Sequence, residues 1–127
     1  MNGNKFVLDT NTVINYLNDK ITLPNGGDNG DIEFFISVIT ELELFSKPAI
    51  TPEEESKISA FLNDNVTIVD IDPRIKNETI AIRRTTKIKL PDCIIAATSI
   101  ALKATLLTHD TEDLLPLVRP GYNAEDI

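Results

Sequence analysis

The run Phe6-Val7-Leu8 is continuously apolar and too short for a helix, so it reads as a strand buried on both faces. Polar Asp9-Thr10-Asn11-Thr12 interrupts it. From Val13 the apolar residues Val13, Ile14, Tyr16 and Leu17 group as they would on a helix whose start is well capped. Pro24 to Asp31 then holds three of the five glycines and no apolar residue, and reads as a loop within the domain. Ile32 to Ile36 is the second strand, followed by a helix that opens on the capping box Thr40-x-x-Glu43 and stops before Pro48. Thr51 caps the next helix, with Pro52 at its first position and Glu53, Glu54 and Glu55 complementing its dipole. Val66 to Ile71 is the third strand, and Asp72-Pro73 opens a basic helix. The segment after Pro91-Asp92 is apolar around nearly its whole circumference, which predicts a central, buried helix. Ala104 to Thr108 is the fourth strand, and Leu114 to Val118 a short apolar segment. Strands alternating with helices predict an α/β fold, three layers α/β/α around a mainly parallel sheet with right-handed crossovers.

Composition narrows the setting. At 127 residues the chain suits one domain spanning 1–127, and 42% hydrophobic content suffices for a single core. One cysteine excludes an internal disulfide framework, no apolar run reaches a membrane span, and the start lacks a signal-like stretch. The expected setting is cytoplasmic, with no membrane partner. A net charge of −8 argues against holding nucleic acid by a global positive field. Between Arg74 and Lys89, however, six basic residues stand against Glu78 alone, a local +5 that leaves −13 for the rest. Such a stretch is either a basic face on an acidic molecule or a solvated helix face balancing its neighbours.

Asp9, Glu43 and Asp110 fall where a strand hands over to a helix or loop, and Asp92 opens the buried helix. Singly, each is accounted for as a helix cap or dipole partner. Jointly they say more, because in a parallel sheet all strand C-termini lie along one edge and their acids converge there. Crowded carboxylates raise one another's pKa unless a cation is present. Oxygen ligands without a His or Cys cluster select Mg²⁺ or Mn²⁺ over zinc. That arrangement suits phosphodiester hydrolysis, in which the ion activates and aligns water and stabilises the leaving oxygen.

Four segments together resemble the PIN-domain family, and within it the VapC-type ribonuclease toxins of toxin–antitoxin pairs. They are Leu8-Asp9-Thr10-Asn11, Ser37 to Leu44, Pro91-Asp92-Cys93-Ile94-Ile95-Ala96-Ala97, and Leu107 to Leu114. Each is short, whereas their order and spacing span almost the whole chain. The resemblance implies metal-binding acids at Asp9, Asp92 and Asp110, with Asp113 helping to hold a second ion. It places the family's glutamate on Glu43 rather than Glu41, and makes Asn11 and Thr108 the polar residues that orient the carboxylates. It implies a Mg²⁺- or Mn²⁺-dependent endoribonuclease, toxin of a type II pair, with RNA as substrate, a cognate antitoxin covering the acidic site, and a homodimer. Arg83, Arg84 and Lys87 are the candidate RNA contacts. Leu114 stands where the family often has Phe, and Phe45-Ser46-Lys47 replaces its frequent Tyr-Gly.

Two other readings compete. Asp9-Thr10-Asn11-Thr12-Val13 also resembles the nucleophile motif of haloacid-dehalogenase-type phosphatases, although Asn11 stands where that motif needs a second acid. A PIN-like module that binds or assembles without cutting is the other. Cys93 lacks a His partner and reads as a buried structural thiol. His109, the one histidine, lies beside Asp110 and reads as a solvated strand-end residue.

Overall fold

Alternation of side chains along short strands divides the apolar residues between two cores. The computed structural model describes residues 4–25 and 31–127, so residues 26–30 of the segment read as a loop lie outside it. Strands β1 (Lys5–Leu8), β2 (Glu33–Ser37), β3 (Thr67–Val69), β4 (Thr105–Thr108) and β5 (Asn123–Asp126) form one sheet in the order β3-β2-β1-β4-β5. Every neighbouring pair is parallel. The helices are α1 (Thr10–Leu17), α2 (Val38–Phe45), α3 (Pro52–Asn65), α4 (Pro73–Thr85) and α5 (Leu90–Leu102).

Val7 and Leu106 face a core built with Ile75 and Ile82 of α4 and Cys93, Ile95 and Ala96 of α5. Phe6, Leu8, Ile36 and Leu107 face the opposite core, with Val13 of α1, Leu44 of α2, and Ile58 and Phe61 of α3. These are the three layers that the alternation of strands and helices predicts. Adjacent Leu106 and Leu107 are both buried and feed opposite cores, so truncating either to Ala removes about 2–5 kcal/mol of stability.

Local chemistry sets the helix starts. Asp9 caps α1, Thr51 and Glu54 form a reciprocal capping box at α3, and Asp72 caps α4 through Ile75 N. The start of α2 differs from the Thr40-x-x-Glu43 expectation. Ser37, still extended at the end of β2, accepts from Ile39 N, and Thr40 sits buried one turn inside the helix. Two further departures concern strands. β3 is shorter than Val66 to Ile71, and β5 is a strand that the hydrophobic pattern does not predict. Leu114 to Val118 forms no helix or strand, yet Leu114 is buried.

The chain runs from β1 through β2 to β3 over one face and returns past β1 to β4 over the other. Crossovers of one hand oblige the helices to change face when the direction reverses. That reversal falls between β1 and β4, which pair from Phe6↔Thr105 to Leu8↔Leu107. A crevice opens beyond strand C-termini at such a switch point, and the residues next in sequence there are Asp9 and His109-Asp110.

Candidate active site

Asp9 is only 5% exposed and both its oxygens are engaged. Oδ1 accepts from Thr12 N at 2.8 Å, which is the cap of α1, and Oδ2 accepts from the Thr108 hydroxyl at 2.5 Å. Thr108 Oγ1 in turn accepts from Asp110 N at 3.1 Å. One buried hydroxyl therefore ties the end of β1 to the end of β4. Beyond it the chain turns around Asp110, whose Oδ1 accepts from Glu112 N and Asp113 N, both at 3.0 Å.

Asp92 enters from the other side, in the first turn of α5, a helix whose cap residue Lys89 makes no side-chain capping bond. Its carboxyl is half-buried and pushed up to about 6, first by burial and then by the charges of Asp110, Glu43, Asp9 and Asp113. Four further acids thus crowd one carboxyl. An oxygen from each of Asp92, Asp110 and Asp113 lies within 4.8 Å of the other two. Asp9 falls outside that trio, although its charge reaches Asp92.

Glu43 reaches the cluster from α2. Its Oε1 lies 2.5 Å from Thr10 Oγ1, which is itself 3.1 Å from the buried Thr40 Oγ1. Thr10 has one proton to give, so it donates to the carboxylate and accepts from Thr40. The charge of Glu43 is among those that raise Asp92. Thr40, expected as a cap, instead braces the residue that holds Glu43.

Asp9, Asp92, Asp110 and Glu112 border a cleft of about 410 Å³, whose walls also include Asn11, Asn15, His109, Thr111 and Leu114. Asn11 is exposed there and makes no side-chain bond to a carboxylate among the described residues, whereas Thr108 does. Asn15 was not singled out by the sequence pattern, although its spacing of four from Asn11 places both amides on one helical face. Tyr122 is a second addition. Its hydroxyl donates to Leu114 O at 2.6 Å, and burial with the charges of Asp9 and Asp110 pushes the phenol well above its ordinary range. Cys93 is buried behind Asp92, where Sγ–H donates to Ile88 O at 3.4 Å and burial raises the thiol. Arg83, Arg84 and Lys87 are exposed at the end of α4 and in the loop leading to α5, and Arg83 donates to Thr86 O at 3.5 Å.

A trio of closely set carboxylates without nitrogen or sulfur partners fits a hard divalent cation. A parallel α/β/α sheet with acids converging at its switch point defines a class of hydrolytic or binding folds. The family model of the PIN domain matches residues 6–115, and the chain belongs to that family. No curated protein matches the chain. Solved structures do. A chain of VapBC2 from Rickettsia felis, bound to a DNA fragment from its promoter, is 23% identical with a TM-score of 0.78, over 97% of this chain and 98% of that one. A chain of a toxin–antitoxin complex from Klebsiella pneumoniae is 26% identical with a TM-score of 0.68, over 92% and 98%. A chain of DNA-bound VapBC from Salmonella typhimurium is 24% identical with a TM-score of 0.71, over 96% and 97%.

Proposed function

We propose that this protein is a Mg²⁺- or Mn²⁺-dependent endoribonuclease and the toxin of a type II toxin–antitoxin pair. The observation that carries the reading is the convergence of Asp92, Asp110 and Asp113 at the switch point of the sheet, where burial and then the charges of four other acids raise Asp92 to about 6. Asp92, Asp110 and Asp113 would hold the ion, with Asp9 beside them. When bound, the cation supplies activation of water and stabilisation of the leaving oxygen.

The chain's own groups do the rest. Glu43 engages Thr10 through Oε1, which leaves Oε2 as the candidate acceptor for the proton of an attacking water. The Thr12, Thr108 and Asp110 bonds fix the acids before substrate arrives, so little reorganisation accompanies reaction. Arg83, Arg84 and Lys87 would meet RNA phosphates arriving from the α4 side. An apolar depression of about 330 Å³ lined by Ile14, Leu17, Leu44 and Ile58 shares Glu43 with the acid site. It offers a partner segment apolar surface next to the catalytic groups, which supports restraint by an antitoxin, as the toxin–antitoxin complex from Klebsiella pneumoniae illustrates for its own chains. A homodimer belongs to the same reading, and light scattering on the purified protein tests it.

The deciding experiment is cleavage of labelled single-stranded and structured RNAs in Mn²⁺, in Mg²⁺ and in EDTA. Cutting is expected with either metal, none in EDTA, and losses of at least about 100-fold in Asp9→Asn and Glu43→Gln with Glu41→Gln near wild type. Intact metal binding with no cutting of any RNA would favour the binding module instead. A phosphatase acting through Asp9 is the weaker alternative, since both oxygens of that residue are already engaged.

A further inference from the structure

His109 lines the acid cleft at the C-terminal end of β4, and its Nδ1 lies 2.5 Å from Asp126 Oδ1. Asp126 comes from β5, where it stands opposite Thr108 in parallel register. A carboxylate accepts only, so Nδ1 carries the hydrogen and Nε2 is the ring nitrogen left open. Both side chains are more than half exposed, at 68% and 55%, so the pair stabilises the fold little. β5 itself buries no residue fully. Its contribution at this end of the sheet is an oriented imidazole on the cleft wall. The family match ends at residue 115, and Asp126 lies beyond it.

The other groups lining this cleft are acids, neutral amides, a hydroxyl and Leu114, and His109 alone among them can carry positive charge. A polyanionic strand entering there meets Asp9, Asp92, Asp110 and Glu112. We propose that His109, oriented by Asp126, contacts the sugar–phosphate backbone of the RNA beside the acid cluster. The inference rests on the nuclease reading above. Nε2, left open by the bond to Asp126, is the ring atom that meets a phosphate oxygen or a ribose hydroxyl of that backbone.

A single histidine gives one set of imidazole signals, which makes the test direct. Glu43→Gln protein in Mg²⁺ is titrated with a short single-stranded RNA and with the same oligonucleotide in 2′-deoxy form, following imidazole ¹H–¹⁵N resonances and affinity. The ring signals are expected to move on RNA binding, with affinity falling about tenfold in His109→Ala and less in Asp126→Ala while melting temperatures in Mg²⁺ stay unchanged. Equal movement with the deoxy strand assigns the contact to phosphate, and weaker movement to the ribose hydroxyl. RNA that binds and shifts Asn11 and Asn15 but leaves the imidazole signals and the His109→Ala affinity unchanged overturns the inference and leaves the nuclease reading standing. Absence of any RNA binding sinks both.

Discussion

Asp92 bears the cost of burying a carboxylate beside four others, and its pKa gives that cost a pH dependence. The folded value of about 6 lies above the ordinary 3.8, so the folded protein binds this proton more tightly than the unfolded chain does. Below the ordinary value both states are neutral and the penalty vanishes. As pH rises the unfolded chain ionises first, and above about 6 the full penalty is present. Asp92→Asn is therefore expected to raise the melting temperature in EDTA by a few degrees at about pH 8 and by nothing at about pH 4. A shift of constant size across that range would refute the assignment. Thr108→Val removes the donor to Asp9 Oδ2 and the acceptor for Asp110 N, and should cost about 1–3 kcal/mol in denaturant titration while weakening Mn²⁺ binding. The acids were legible in the sequence because each stands at a strand end or helix start. Their braces were not: Thr108 and Asp9 are 99 positions apart, and Thr10 meets Glu43 only after β1 and β2 have paired.

Elements were legible where local chemistry decides them and less so where pairing does. Asp9, Thr51 and Asp72 cap the helices that their sequence contexts suggest. At α2 two hydroxyls compete, and Ser37 prevails because β2 already holds it extended at φ −69 and ψ 149 while Thr40 is drawn into the interior. The two roles separate by mutation. Ser37→Ala is expected to cost about 1 kcal/mol of stability by loss of the cap. Thr40→Val leaves that cap intact and removes the partner of Thr10, so its signature is a several-fold slower cleavage with the Mn²⁺ affinity unchanged. Equal effects of the two variants on stability, with no kinetic difference, would argue that Thr40 is merely packed. β5 escaped the sequence pattern for a physical reason. Asn123-Ala124-Glu125-Asp126 has no apolar alternation, and its strand geometry comes from four-residue register with β4, with Ala124 alone of the four packing against a core.

At the scale of the molecule, one sheet serves two opposed electrostatic demands. Reversal of strand order at β1 and β4 concentrates acids at one edge of a chain whose net charge is already −8, and on the proposed reading a polyanionic RNA must still be admitted there. A bound divalent cation relieves the first demand. Mn²⁺ at about 100 times its dissociation constant is expected to stabilise the protein by about 2.7 kcal/mol, seen as a rise in melting temperature that Asp110→Asn abolishes. The second demand falls to local rather than global charge, because at about 0.1 M salt screening acts over about 10 Å and an incoming phosphate senses chiefly what is near it. Arg83, Arg84 and Lys87 lie in the stretch that leads directly into the helix bearing Asp92. If they make the phosphate contacts, each contributes about 0.7 to the slope of log affinity against log salt for a single strand. Replacing Arg83 and Arg84 together with Ala should then flatten that slope by about 1.4 and weaken binding most at low salt, leaving metal-induced stabilisation as in the wild type. A double variant with an unchanged slope would show that RNA approaches from another face, and would return the basic stretch to the role of a solvated helix end.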